Sequence, residues 1–471
     1  MKREFCGLFG IYNNPEAAHM TYLGLYAQQH RGQESAGIVT WDAGKQFIRE
    51  QKGMGLVADV FNERHLQKEL KGDIAVGHVR YSTTGASLIR NAQPFLVSFG
   101  DLQLAIAHNG NLSNSSMLRA ELEHAGTIFQ TTMDTEIIVH LIARHMSKEG
   151  MCIEDAVAAA CRRVEGAFSL LILANDKLIA LKDPNGFRPL AFGRMGDSYV
   201  FASETCAFDL LEAEFLRPVE PGEMVVIDRE GVRSLRYCEP NGRSQCIFEL
   251  IYFARPDSNI FDQNVYQCRK AMGAALAREC PVDADFVMPF PDSGNYASVG
   301  YAQESGLPLE LCMIRNHYVG RTFIKPSQGE RDFSTNMKLN PVRSMVEGKS
   351  ILVVEDSIVR GTTIRTRIKK LRDLGAREIH MRVSCPPIKY GCYYGIDFPS
   401  QDQLIAAQMS VQEIAEVIGL DSLHYLSIEG LLSSVQNPKD FCLACFNGEY
   451  PVAPCLGVNK ECLETIQGMK S

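Results

Sequence analysis

Residues 350–363, Ser-Ile-Leu-Val-Val-Glu-Asp-Ser-Ile-Val-Arg-Gly-Thr-Thr, constrain the fold more tightly than any other stretch of this chain. Ile351 to Val354 are β-branched or aliphatic on both faces. That suits a strand buried in a parallel sheet, and such sheets bind ligands beyond their strand C-termini. Glu355 and Asp356 stand at that end. Paired carboxylates accept hydrogen bonds from vicinal hydroxyls. Gly361 lets backbone N–H groups, with Thr362 and Thr363, approach a phosphate at a helix start. Acidic residues after a strand often only cap the next helix. The order strand, acid, acid, loop, helix instead fits a sugar-phosphate site.

From about Cys246 onward the pattern alternates. Strands are expected at Phe248–Phe253, Phe286–Pro289, Leu309–Met313, Ile351–Val354 and Ile379–Val383, with helices at Val265–Arg278 and Thr363–Leu374. This predicts a parallel α/β sheet. The first half differs: strand-like runs begin at Phe168, Leu178 and Glu223, and helical patterns cover 135–145 and 153–164, which suggests sheets layered with helices. The turn-rich Cys238–Gln245 marks the expected boundary. A net charge of -8 argues against a nucleic-acid binder with a broad basic surface, so an anionic ligand must be caught locally. No apolar run reaches membrane-spanning length, and fifteen scattered cysteines do not suggest a disulfide framework. A cytoplasmic chain is expected.

A second chemistry lies in the first half. Cys6, followed by Gly7 and an apolar run, is a weak signal alone, because most cysteines beside apolar residues are packed thiols. Cleavage after Phe5 would give Cys6 a free α-amino group, whose ordinary pKa of about 8 suits a base for its own thiol. Three further segments supply complementary roles: Gly77–Gly85, Ala107–Asn111 and Met133–Glu136. Arg80 can grip an α-carboxylate and Asp134 an α-ammonium. The Asn109 side chain and Gly110 N–H suit an oxyanion hole. Asn-Gly alone is commonly a hairpin turn and Asp134 alone a helix cap. Together they describe a pocket for glutamine.

These residues resemble two families. Val353–Thr363 is similar to the phosphoribosylpyrophosphate loop of type I phosphoribosyltransferases, with Glu355 in place of the usual first aspartate, and Pro289–Gly294 resembles their pyrophosphate-side turn. Cys6, Arg80, Asn109, Gly110 and Asp134, with His30–Gly37, resemble the class II glutamine amidotransferases. The combination resembles the glutamine phosphoribosylpyrophosphate amidotransferase family, in its iron-sulfur branch. The resemblance implies a propeptide (1–5), an N-terminal-nucleophile αββα glutaminase domain (6–240), and a type I phosphoribosyltransferase doubly wound parallel sheet (241–471). It implies catalysis by Cys6, Asn109 and Gly110, and glutamine binding by Arg80, His108 and Asp134. Phosphoribosyl diphosphate would be held by Asp356, Ser357, Arg360, Gly361, Thr362 and Thr363, with Tyr318, Arg321 and Lys349 closing over it, and Mg²⁺ by Ser293, Glu355 and Asp356. The reaction implied is the first committed step of purine synthesis, with feedback by purine nucleotides and a homotetrameric assembly.

Cys442-x-x-Cys445, with distant Cys246 and Cys392, matches the ligands of a [4Fe-4S] cluster in that branch. Four thiolates suit iron-sulfur or zinc, and spacing alone does not choose. Cys152, Cys161, Cys268 and Cys280 are expected to be core thiols. Other class II amidotransferases, forming hexosamine or asparagine, would fit the first half equally well, but not residues 350–363. A regulatory protein that binds without turnover would not need the Cys6 set.

Overall fold

The computed structural model describes residues 6–81, 88–316 and 339–453. Met1–Phe5, Ser82–Gly85, Tyr318 and Arg321 lie outside these residues.

The first half is built on two antiparallel sheets. One has seven strands in the order Glu214–Pro218, Ala191–Met195, Ser198–Ala202, Gly7–Tyr12, Ile74–Arg80, Ser35–Asp42 and Phe47–Met54. The other has six: Gly231–Arg236, Glu223–Asp228, Lys177–Lys182, Gly166–Ala174, Leu102–Leu112 and Phe95–Phe99. The uniformly apolar look of Gly166–Ala174 has a two-sided cause. Phe168, Leu170 and Ile172 pack with Ile137, Leu141 and Val157 of the helices Thr135–Glu149 and Ile153–Cys161. Leu171 and Leu173 alternate to the other face and meet Leu8, Val76 and Phe201 of the seven-stranded sheet. Helices Ala17–Ala27 and Cys206–Leu211 cover that sheet from outside. The layers are therefore helix, sheet, sheet, helix.

The second half holds a four-stranded parallel sheet, Phe286–Pro289, Ser350–Glu355, Glu378–Val383 and Ser422–Tyr425, in that order. Helices Val265–Glu279 and Thr362–Asp373 form where expected, each within two residues.

Three expectations need correction. Glu249–Phe253 is a π-helical turn rather than part of a strand, because Glu249 turns inward to two buried arginines instead of lying in a ladder. The stretch 309–313 yields only a bridge from Leu309 to Val287; the strand starts at Met313 and pairs antiparallel with Leu339–Pro341. Cys161 and Cys268 are buried, but Cys152 is exposed at a helix start, beside Asp155, and Cys280 is only half-buried at a helix end.

Candidate functional site

Cys6 sits just before the Gly7–Tyr12 strand, and the pairing of Gly7 with Val79 sets Arg80 beside it. Its thiol is buried, with Tyr81 O 4.0 Å away. Burial pushes the thiol up from 9.0 to about 11, against the pull of Tyr81, Arg80 and Arg31. Arg31 Nε donates to the Cys6 carbonyl at 3.0 Å.

The facing sheet brings the remaining residues. His78 Nε2 donates to the carbonyl of His108 at 3.2 Å, so one bond ties the Arg80 strand to the Asn109 strand. Burial holds His78 down to about 3, and hence neutral at ordinary pH. Asn109 is buried, and its Nδ2 has no hydrogen-bond partner among the described residues. Such an orphan donor is costly unless a ligand uses it. Gly110 has φ +150, and a Cβ there would lie 2.0 Å from the Ala167 carbonyl. No other residue fits. Asp134 begins the Thr135–Glu149 helix without capping it; its carboxylate accepts from Leu112 N at 2.9 Å and lies 3.4 Å from His108 Nδ1. Burial would raise its pKa, but His108 and these hydrogen bonds hold it below the usual range. Arg80 is buried and paired with Glu34 at 3.0 Å.

The second site lies at the C-terminal ends of two neighbouring parallel strands, Phe286–Pro289 and Ser350–Glu355. Glu355 and Asp356 are buried side by side. Ser293 Oγ donates to Glu355 at 3.1 Å, and Arg367 Nη1 reaches its other oxygen at 3.4 Å. Gly294 packs so tightly on the strand end that a Cβ would stand 2.3 Å from the Val354 carbonyl. Gly361, at φ +72, turns the chain into the Thr362–Asp373 helix, which leaves the first N–H groups of that helix free to meet an anion. Ser357 is buried here, while Arg360 and Thr362 are exposed. Lys349 does not join this group. It precedes the strand, at the end opposite Glu355, roughly 20 Å away at strand spacing, and its Nζ pairs with Asp285 at 3.4 Å.

The four cysteines converge. Cys246 pairs with Cys442 in a two-strand parallel ladder, Cys445 lies in the short helix that follows, and Tyr394 N donates to Cys392 Sγ at 3.3 Å. Burial raises the Cys445 thiol well above its usual range, with Cys442, Cys246 and Cys392 adding to it. Among the described residues no three His, Cys, Asp or Glu stand close enough to hold a single metal ion.

The sequence reading held Arg31 only as part of the His30–Gly37 resemblance, without a role, and missed Arg188. Arg31 bridges Glu204 at 2.5 Å and Glu249 at 2.8 Å, and Arg188 joins Glu249 at 3.1 Å. Their partners lie 61 to 218 positions away, so no local pattern marks them. Arg367, 5.1 Å from the Phe290 ring centroid, was hidden in an ordinary amphipathic helix.

Comparison with known proteins gives consistent results. The glutamine amidotransferase domain family matches residues 78–209. The chain is 50% identical over 454 residues to chloroplastic amidophosphoribosyltransferase 1 of Arabidopsis thaliana, covering 96% of this chain and 79% of that one. It is 49% identical to the Bacillus subtilis amidophosphoribosyltransferase, covering 95% and 94%. The solved structure of the B. subtilis glutamine phosphoribosylpyrophosphate amidotransferase, complexed with ADP and GMP, superposes with a TM-score of 0.91 at 46% identity, covering 97% of this chain and all of that one.

Proposed function

The chain belongs to the amidophosphoribosyltransferase family, and from that premise we propose how its residues divide the reaction. It is a glutamine-dependent enzyme that transfers ammonia to C1 of 5-phosphoribosyl 1-diphosphate, giving 5-phosphoribosylamine, glutamate and diphosphate, and so opens purine synthesis. Residues 6–240 act as the glutaminase and 241–471 as the transferase, with 1–5 removed to free the Cys6 amine.

The observation that carries the glutaminase assignment is the Asn109 Nδ2, buried and without a partner among the described residues, beside a glycine that no residue with a Cβ could replace. Cys6 attacks the side-chain amide of glutamine, with its own α-amino group taking the thiol proton. Asn109 and Gly110 hold the oxyanion, ammonia departs, and water releases glutamate from the thioester. Arg80 and Asp134, with His108 behind it, hold the amino-acid end. In the transferase half Glu355 and Asp356 orient the ribose hydroxyls, while Ser357, Arg360, Gly361, Thr362 and Thr363 bind phosphate. Arg321 would close over the diphosphate, whereas Lys349, paired with Asp285 at the far end of its strand, stands apart from it.

Ser293, Glu355 and Asp356 offer hard oxygens that fit Mg²⁺, which would neutralise the leaving diphosphate when bound. With only two carboxylates there, the ion would depend on substrate oxygens and water. Cys246, Cys392, Cys442 and Cys445 would hold a [4Fe-4S] cluster through their four thiolates. Four thiolates would also suit zinc, and the iron-sulfur reading rests on the family resemblance of these four positions. The cluster would tie the C-terminal segment to the start of the transferase half. A cytoplasmic setting suits a chain whose cysteines are read as thiols and cluster ligands rather than as a disulfide framework. Regulation by purine nucleotides is supported by the ADP and GMP in the B. subtilis relative, and a homotetramer is the assembly that the family resemblance implies. Diphosphate release, measured with glutamine and with ammonia as donors, tests the assignment: activity with neither would refute it.

A further inference from the structure

Arg31 is buried completely, and its planar guanidinium has three tasks at once. Nε holds the Cys6 carbonyl at 3.0 Å, Nη1 reaches Glu204 at 2.5 Å, and Nη1 with Nη2 grips both oxygens of Glu249 at 3.0 and 2.8 Å. The Cys6 carbonyl is one bond from the Cα that carries both the thiol and the amine. Whatever fixes the plane of Arg31 therefore fixes the aim of Cys6. Glu204 belongs to the first half, but Glu249 lies past the expected boundary, on the π-helical turn. Glu249 Oε1 also accepts from Arg188 Nη1 at 3.1 Å, and Arg188 Nε and Nη2 end on the Tyr394 carbonyl at 3.1 and 2.7 Å. A fork gripped from both sides has one orientation.

We propose that Glu249, locked by Arg188, is a positioning residue for the Cys6 nucleophile, supplied to the glutaminase site by the transferase half. The inference rests on the reading of Cys6 as nucleophile. Docking of the second half then sets glutamine turnover through a buried carboxylate that touches no substrate.

Full-length Glu249→Gln and Arg188→Lys test this. Gln keeps an acceptor but removes the charge that Arg31 and Arg188 share; Lys keeps charge but cannot span Glu249 and Tyr394. The glutaminase kcat should fall at least about tenfold with KM for glutamine within about threefold, as expected for misaim rather than lost binding. Modification of Cys6 by an electrophilic diazoketone analogue of glutamine should slow in parallel, while ammonia-dependent synthesis stays within about twofold of wild type. A folded variant with unchanged kcat, or one in which both donors lose activity together, would overturn the proposal. If Glu249→Gln does not fold, Arg188→Lys decides by the same criteria. A wild-type enzyme labelled somewhere other than Cys6 would defeat the nucleophile reading itself, and the inference with it.

Discussion

Asn111 Nδ2 donates to the carbonyl of Tyr393 at 2.9 Å, joining residues 282 positions apart. The contact places the segment after Cys392 directly against the strand that carries Asn109 and Gly110. The two halves of this chain therefore meet at that strand, yet the reacting groups of the two chemistries sit in different sheets, and their failures should be separable.

Cys6→Ala should abolish glutamine-dependent synthesis and leave ammonia-dependent synthesis intact. Diphosphate release with each donor measures both. Loss of both activities in a folded variant, or survival of the glutamine reaction, would rule out the two-site scheme.

Asn109→Ala should separate activity from stability. Removing one oxyanion donor typically lowers kcat about 10² to 10³-fold. The Asn109 Nδ2 has no partner among the described residues, so urea unfolding should show no loss of stability beyond about 1 kcal/mol, and a gain is admissible. A large destabilisation would mean that the amide has a structural partner.

The Cys6 thiol predicts a pH profile. While Met1–Phe5 remain attached, burial holds it at about 11, and alkylation by iodoacetamide should rise about tenfold per pH unit from 7 to 10 without a plateau. Removal of the five residues should introduce an inflection near pH 8, from the α-amino group. The raised folded value also has a stability sign: the contribution is fully present below 9.0 and is lost as pH rises toward about 11. A plateau below pH 9 in the unprocessed chain would contradict the buried thiol.

Asp356→Asn should abolish transfer from either donor while glutamine hydrolysis persists in part. Glu355→Asp is the control. The shorter side chain draws back from Ser293 and Arg367, now at 3.1 and 3.4 Å, yet restores the acid common in this loop, so transfer should be retained. Its collapse would show that Glu355 has been assigned the wrong place.

Much of this was legible from residue types. A strand ending in two acids and a glycine is a local statement, as are Asn109-Gly110 and the buried runs of the first half, because period and turn chemistry act over a few residues. Glu249 was not legible. Phe248-Glu-Leu-Ile-Tyr-Phe is apolar enough to read as a strand, and only Arg31 and Arg188, brought in from 218 and 61 positions away, explain why it coils. Lys349 failed for a related reason: nearness in sequence to the acidic loop concealed that a whole strand separates them.

The cysteine quartet should give protein, purified without oxygen, that is brown and carries about four iron and four sulfide per chain. Exposure to oxygen should bleach it and lower its unfolding midpoint together, since a cluster joining such distant residues contributes to folding. About one zinc and no sulfide would overturn the assignment and leave the two active sites as they stand.

A Cβ on Gly395, at φ +101, would stand 3.0 Å from Arg188 Nη2 and 3.1 Å from the Gly110 carbonyl carbon. The joint between the halves is cut to the thickness of bare backbone at that point. The glutaminase half is therefore not a portable cassette. A chimera that grafts it onto a foreign acceptor enzyme would inherit every residue of the pocket and still lack the surface against which Gly110 is set, unless residues 393–395 and Glu249 travelled with it.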